Sequence, residues 1–178
     1  MSGGQEVRRS GGQEISMQST RAKIKSRQEL KGILEQLKAD GKEIVFTNGC
    51  FDLLHPGHVH YLEKAKAQGD VLVVALNTDT SVRKIKGQDR PVLGEEDRCE
   101  IISALGCVDF VTIFEEETPQ TIIEELIPQV LIKGGDWPID QIVGRKIVES
   151  NGGRVISVDF EREFSTSDII DRIRRSGK

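Results

Sequence analysis

The residues best suited to chemistry are three histidines that lie within six positions of each other, His55, His58 and His60. They follow an apolar run and a glycine-containing polar turn at residues 47–52. A strand that ends in such a turn and continues as a helix presents backbone N–H groups to an anion. Pro56 suits the first helical position because it has no N–H to leave unpaired. His55 and His58 therefore predict a phosphate site, whereas His60 faces another side of the helix.

Metal ligation is the main alternative for these histidines. Zinc-binding helices usually place two histidines at positions i and i+4 with a Glu between them, which is not the pattern here. We therefore predict no metal site built by the protein itself.

Strand-like and helix-like segments alternate five times, which predicts a single-domain α/β fold. The expected sheet is Rossmann-like, with five parallel strands and helices on both faces. Predicted strands cover residues 43–48, 70–77, 108–114, 130–133 and 154–160, and predicted helices cover 27–40, 57–68, 95–105, 119–126, 141–150 and 167–175. Residues 1–20 contain a short repeat and no aromatic residue, so we expect a disordered tail before a domain at 21–178.

The carboxyl ends of the predicted strands collect the polar residues of the chain. Ligands of open parallel sheets bind at this edge, where the direction of winding reverses. The strand ends are residues 47–52, 77–81, 114–118, 133–137 and 160–168. The sequence therefore predicts one ligand site at one edge of the sheet.

Two further segments suit phosphate chemistry. Residues 83–91 form a basic stretch, which we predict to be a mobile loop whose lysine closes over a triphosphate. The hydroxyl residues at 165–167 precede the last helix and fit both a capping box and a second phosphate site.

The remaining candidates are less specific. The paired glycines at 134–135 allow close approach of a ligand, and Trp137 could stack on a base or cover the core. Cys50 is expected to matter through its backbone rather than its thiol. The sequence lacks both G-x-G-x-x-G and G-x-x-x-x-G-K-[ST], which argues against dinucleotide dehydrogenases and P-loop kinases.

Composition excludes several classes of protein. The net charge of -4 and the pI near 5.5 argue against binding to nucleic acid or to anionic membranes. The longest apolar run, residues 71–76, is far too short to span a membrane. Three cysteines without C-x-x-C spacing and the lack of a signal region predict a cytoplasmic protein.

Together these segments resemble the nucleotidyltransferase superfamily with the H-x-G-H motif, matched here at 55–58, and a late hydroxyl motif, matched at 165–167. Within that superfamily the chain is most similar to the adenylyltransferases of ADP-heptose synthesis. The other matching segments are 47–54, Asn77 to Asp79, Lys86-Gly87 with Arg90-Pro91, and K-G-G-D at 133–136. The likeness covers about residues 27–176.

The resemblance implies transfer of an adenylyl group from ATP to D-glycero-β-D-manno-heptose 1-phosphate, giving ADP-heptose and pyrophosphate. Mg²⁺ would be bound to the triphosphate, and the sugar phosphate would attack the α-phosphorus in line. The expected catalytic residues are His55, His58 and Lys86. The expected nucleotide-binding residues are these three with Thr47, Asn48, Gly49, Cys50, Phe51, Gly135, Asp136, Ser165, Thr166 and Ser167. The expected substrate-binding residues are Asp52, Asn77, Asp79, Arg98 and Lys133.

Two departures from the family bear on this interpretation. Many relatives carry an attached sugar kinase, for which this chain is too short, so a separate kinase is expected to supply the sugar 1-phosphate. The hydroxyl motif is Ser-Thr-Ser where the family often has Ser-Thr-Thr, which keeps the hydroxyl and loses a methyl group. A homodimer is compatible with an enzyme of this size, and the product would serve lipopolysaccharide or another glycoconjugate.

Two other functions remain open from the sequence. Glycerol-3-phosphate cytidylyltransferase shares the fold and the motif, but it usually has Arg-Thr-Glu-Gly where residues 160–163 are Phe-Glu-Arg-Glu. A non-catalytic nucleotide sensor could use the same fold, although such a protein could dispense with His58 or Lys86.

Overall fold

A computed structural model describes residues 20–135, 138–158 and 165–177 of the chain. Within these ranges the strands are β1 Ile44–Gly49, β2 Val71–Asn77, β3 Phe110–Phe114, β4 Val130–Gly134 and β5 Arg154–Val158. The α-helices are α1 Arg27–Ala39, α2 Pro56–Lys66, α3 Asp79–Lys86, α4 Glu95–Ser103, α5 Gln120–Leu126, α6 Arg145–Ser150 and α7 Thr166–Ser176. Short 3₁₀ helices cover Thr20–Lys23 and Ile139–Gln141.

The strands form one parallel sheet in the order β3-β2-β1-β4-β5, which confirms the predicted Rossmann-like fold. From β1 the chain winds outward through β2 to β3, then crosses back and continues through β4 to β5. The winding therefore reverses between β1 and β4, so the carboxyl ends of these two strands border the expected ligand crevice.

Two apolar layers cover the two faces of the sheet. On β1, Val45 packs in the layer formed with α2 and α4, whereas Phe46 packs in the layer formed with α1, α5 and α6. This alternation follows from the period of two in strand side chains. β2 is buried along its whole length, as expected for a strand covered on both faces.

The chain between β2 and α4 differs from the prediction. Residues 83–91 were expected to form one loop, but Asp79–Lys86 is a helix, α3. The side chain of Thr78 caps this helix by accepting a hydrogen bond from the Ser81 N–H. Such a short helix lacks the length that makes helical periodicity visible in sequence. Only the connection at residues 87–94 is irregular.

The helix predicted at 141–150 begins later, at Arg145. Gly144 precedes it in the left-handed region, with a φ of 88°. A Cβ at this position would also lie 2.5 Å from Ile123 Cδ1. Glycine therefore sets the start of α6. The predicted tail at 1–20 and the end of the predicted strand at 154–160 lie largely outside the described residues.

None of the helices in the described ranges is both long enough and apolar enough to cross a membrane.

Candidate active site

A cavity of about 510 Å³ opens at the carboxyl edge of the sheet, where the winding reverses. Ten residues that the sequence identified line it: Asn48, Gly49, Cys50, Phe51, Asp52, His58, Asn77, Lys86, Lys133 and Thr166. The other lining residues are Tyr61, Ile85, Glu117, Thr118, Pro119, Leu131, Gly134, Gln141, Ile142 and Val143. The cavity thus joins β1, β2 and β4 to the starts of α2 and α7.

The turn after β1 approaches the cavity in an unusual backbone conformation. Phe51 and Leu53 have positive φ angles, 45° and 53°, which non-glycine residues rarely adopt. A Cβ on Gly49 would lie 2.9 Å from the Phe51 ring, so glycine allows this close packing. Backbone strain of this kind persists only where the surrounding structure enforces it.

The two motif histidines pack against each other at the start of α2. Their rings stack with centroids 3.8 Å apart, and Phe51 lies 5.3 Å from the His58 ring. His55 is the N-cap residue, but its side chain makes no capping hydrogen bond to the helix. The Nδ1 atoms of both histidines are buried and lack a hydrogen-bond partner among the described residues. Such atoms are candidates for contact with a bound ligand.

Both histidines are held in the neutral form. Burial lowers the pKa of His55. Burial also lowers the pKa of His58 to about 4, and the charge of Lys86 and the protonated form of His55 act in the same direction. A neutral imidazole can still donate a hydrogen bond to a phosphate oxygen. Of the two histidines, only His58 lines the cavity.

Two lysines bring positive charge to the cavity. Lys86 is the last residue of α3, and its charge reaches His58. Lys133 lies on β4, where burial lowers its pKa. Within the described ranges, no carboxylate forms a salt bridge with either ammonium group. The cavity is therefore suited to an anionic ligand.

Asp52 holds the connection at residues 87–94 against the turn after β1. Its buried carboxylate accepts hydrogen bonds from Arg90 Nε at 2.8 Å and from the N–H groups of Val92 and Leu93 at 2.9 and 3.1 Å. Burial favours the neutral acid, but these bonds outweigh it and lower the pKa of Asp52. Asp52 borders the cavity, yet its carboxylate is occupied by the protein.

Arg98, predicted to contact substrate, lies behind the cavity wall. It is 1% exposed and absent from the cavity wall. Its guanidinium donates to the carbonyl oxygens of Leu93, Cys50 and Asn77 and to the Asp79 carboxylate, at 2.6 to 3.1 Å. Because Arg98 and Asp79 pair with each other, both brace the loops around the cavity instead of lining it.

The hydroxyl residues at the start of α7 divide into separate roles. Ser165 caps the helix by accepting a hydrogen bond from the Asp168 N–H at 3.1 Å. Thr166 lines the cavity and donates to the Asp52 carbonyl oxygen at 2.8 Å. Ser167 lines a neighbouring cleft between α7 and residues 89–92. Only Thr166 of the three lies at the main cavity.

Three other predicted nucleotide contacts lie elsewhere or outside the described residues. Thr47 is fully buried, and its hydroxyl is 2.6 Å from the Tyr61 hydroxyl. Gly135 donates its N–H to the Val158 carbonyl oxygen at 3.0 Å and does not line the cavity. Asp136 is outside the described residues.

Sequence reasoning missed part of the cavity wall. Tyr61 lies one helical turn after His58, so its position on the same face of α2 was available from spacing alone. Burial raises its pKa, so the phenol stays protonated. Residues 141–143 line the cavity because they lie before α6, whereas the sequence placed them inside a helix.

Comparison with known proteins places these features in a family. The Bifunctional protein HldE of Geobacter metallireducens is 57% identical over 155 residues, which are 87% of this chain and 32% of that protein. The HldE of Geobacter sulfurreducens is 53% identical over the same extent. The chain therefore spans about a third of the length of these relatives.

Solved structures agree with this placement. The lipopolysaccharide core biosynthesis protein of Thermoplasma volcanium GSS1 is 31% identical with a TM-score of 0.57, over 70% of this chain and all of that one. Pantoate-beta-alanine ligase of Francisella tularensis has the same TM-score at 16% identity, over 85% of this chain and 76% of that one, and shows the fold alone. The model of the family described as Cytidylyltransferase-like matches residues 46–172. The chain therefore belongs to the cytidylyltransferase-like family.

Proposed function

We propose that the chain transfers the adenylyl group of ATP to D-glycero-β-D-manno-heptose 1-phosphate, releasing pyrophosphate and ADP-heptose. The observation that carries this proposal is the convergence of His58 and Lys86 on a cavity at the reversal of the sheet. The similarity to HldE proteins and to a lipopolysaccharide core biosynthesis protein supports the sugar substrate.

The geometry suits electrostatic catalysis without a covalent intermediate. A phosphate oxygen of the sugar substrate would attack the α-phosphorus of ATP while the bond to pyrophosphate breaks on the opposite side. Neutral His58 would donate a hydrogen bond to the phosphate oxygens, with His55 stacked behind it. Lys86 would offset the negative charge that develops on pyrophosphate. Preorganised donors of this kind stabilise a transition state in which charge moves onto oxygen.

The two faces of the sheet suggest where each substrate binds. His58 and Tyr61 of α2 lie on one face, with Thr166 beside them at the cavity. On β4, Leu131 packs toward α1 and α5, so the period of two places Lys133 on that second face. We propose that the nucleotide binds on the α2 side and the sugar phosphate on the Lys133 side. The α-phosphorus would then lie at the end of β1.

Magnesium fits this proposal as part of the substrate. The described residues contain no cluster of three or more His, Cys, Asp or Glu side chains that could hold a metal ion. Triphosphate oxygens are good ligands for Mg²⁺, which usually keeps few protein ligands. We therefore propose MgATP as the nucleotide substrate.

The chemistry also implies other activities nearby. Nucleotidyl transfer consumes a sugar 1-phosphate, so we propose that a kinase activity supplies it. We propose a cytoplasmic location, where ATP is available, and use of the product in lipopolysaccharide. A homodimer stays a prediction that sedimentation of the purified chain would test.

Pyrophosphate release tests the proposed function. The purified chain with Mg²⁺ is given ATP or CTP, each with heptose 1-phosphate or glycerol 3-phosphate. Release confined to ATP with the heptose phosphate is the expected result. Pyrophosphate release with CTP and glycerol 3-phosphate would show that these are the substrates instead. Nucleotide binding without pyrophosphate release from any pair would favour a sensor.

A further inference from the structure

Asn77, the last residue of β2, lies on the cavity wall in a fixed setting. It is 4% exposed, and its Nδ2 donates to Ser81 Oγ at 3.0 Å. Its Oδ1 accepts a long hydrogen bond from the Cys50 thiol, at 3.9 Å, and keeps a second lone pair for another donor. Cys50 also lines the cavity. The two ends of the amide therefore face different surroundings.

The partners of Ser81 decide which way the amide points. Ser81 Oγ lies 3.2 Å from the carbonyl oxygen of Glu116, which can only accept a hydrogen bond. The single hydroxyl proton of Ser81 is therefore used on Glu116. Ser81 must then accept from Asn77, so Nδ2 faces Ser81 and Oδ1 faces Cys50. The reversed amide would place two acceptors against each other.

Arg27 holds Glu116, whose carbonyl oxygen accepts the hydrogen bond from Ser81. Its guanidinium forms two parallel hydrogen bonds with the Glu116 carboxylate, at 2.8 and 2.7 Å, and lies 3.5 Å from Glu125. These bonds raise the pKa of Arg27 and lower that of Glu116, so both groups stay charged. The pair ties the start of α1 to residues 115–119, three of which line the cavity.

We propose that Asn77 Oδ1 accepts a hydrogen bond from a hydroxyl group of the sugar substrate, and that Ser81 and Arg27 are positioning residues for it. This inference rests on the proposed function and deepens it. A carbonyl oxygen attracts an O–H group and repels a phosphate oxygen. Lys133, on β4 at the other side of β1, supplies the charge for the phosphate. Asn77 therefore determines specificity toward the hydroxyl pattern of the sugar.

The test compares the complete sugar 1-phosphate with a panel of its monodeoxy analogues. For the wild-type chain, kcat/KM should fall about tenfold for the analogue that lacks the contacted hydroxyl. Asn77→Ala should lose activity on the complete substrate and no longer distinguish that analogue. Ser81→Ala and Arg27→Ala should weaken the same discrimination, while the KM for ATP changes less than about twofold.

Two controls separate positioning from folding. Arg27 is partly exposed, so Arg27→Ala should fold even where Ser81→Ala does not, and melting temperatures check both. Arg154→Ala removes a comparable pair with Glu43, which lies at the opposite edge of the sheet. That variant should keep full discrimination among the sugars.

The outcomes distinguish this inference from the proposed function. Activity of the wild type on any sugar 1-phosphate with ATP supports the proposed function. If Asn77→Ala then discriminates among the monodeoxy analogues as the wild type does, the role of Asn77 is refuted while the proposed function stands. Unchanged discrimination in folded Arg27→Ala refutes its positioning role. No activity on any sugar phosphate overturns both.

Discussion

The stability of the folded chain should depend on pH through His58. Burial, together with the charges of His55 and Lys86, lowers the pKa of His58 from 6.5 to about 4. The unfolded chain therefore binds a proton more readily than the folded chain between these values. Stability is then complete above the unfolded pKa and is lost as pH falls toward the folded pKa.

The size of this effect follows from the two pKa values. At a pH of about 4.5, the unfolded state gains about 2.5 kcal/mol from protonation of one such histidine relative to the folded state. Partial exposure of the ring reduces this to about 2 kcal/mol. Replacing His58 by glutamine keeps a hydrogen-bonding amide and removes the titration.

Urea unfolding of wild type and His58→Gln provides the assay, at pH values of about 7.5 and 4.5. Wild type should lose about 2 kcal/mol more than the variant between these conditions. His60→Gln serves as the matched histidine replacement on the same helix. Equal losses in wild type and His58→Gln would show that His58 does not carry a lowered pKa.

Three further substitutions test the roles assigned to buried polar groups, each by urea unfolding. Asp52→Asn should cost about 2 kcal/mol because it breaks the ion pair with Arg90, and an unchanged midpoint would contradict this anchor. Arg98→Met should cost about 3 kcal/mol or more, since four acceptors lose their donor; a near-neutral effect would refute its bracing role. Lys133→Met should stabilise by about 1 kcal/mol, because it removes a partly buried charge. The KM for sugar phosphate in the pyrophosphate assay should rise about tenfold. A destabilised Lys133→Met with unchanged KM would oppose both statements.

The sheet was predictable from sequence because the alternation of apolar strand segments with helical segments repeats along the chain. Each buried strand is a short apolar run, and the helices between the strands place the polar residues at one edge. Helix α3 was missed because four of its eight residues are charged and only two, Val82 and Ile85, are apolar. Its start depends on the Thr78 cap, and a cap of this kind also fits an ordinary turn.

The candidate site was predictable only as a set of polar residues. Sequence placed Arg98 and Lys133 together as contacts for substrate, yet one braces the loops and the other lines the cavity. The difference lies in hydrogen-bond partners that are distant in sequence. Arg98 finds the Cys50 carbonyl oxygen 48 positions away, whereas Lys133 finds no acceptor within the described ranges. Hydrogen bonds between residues so far apart in sequence cannot be read from local sequence patterns.

The hydrogen bonds of Arg98 and Asp52 explain how the strained turn after β1 can persist. Positive φ angles at Phe51 and Leu53 cost of order 1–3 kcal/mol each, which the surroundings must offset. Arg98 holds the carbonyl oxygen of Cys50 before the strained positions, and the Asp52 carboxylate is fixed between them. The buried carboxylates and the arginines thus neutralise each other within the loops. Among the cavity-lining residues, Lys86 and Lys133 are free of carboxylate partners within the described ranges, whereas the Glu117 carboxylate lies 3.8 Å from the Lys84 ammonium group. The charge available to a ligand is therefore mainly positive, which suits a phosphate group.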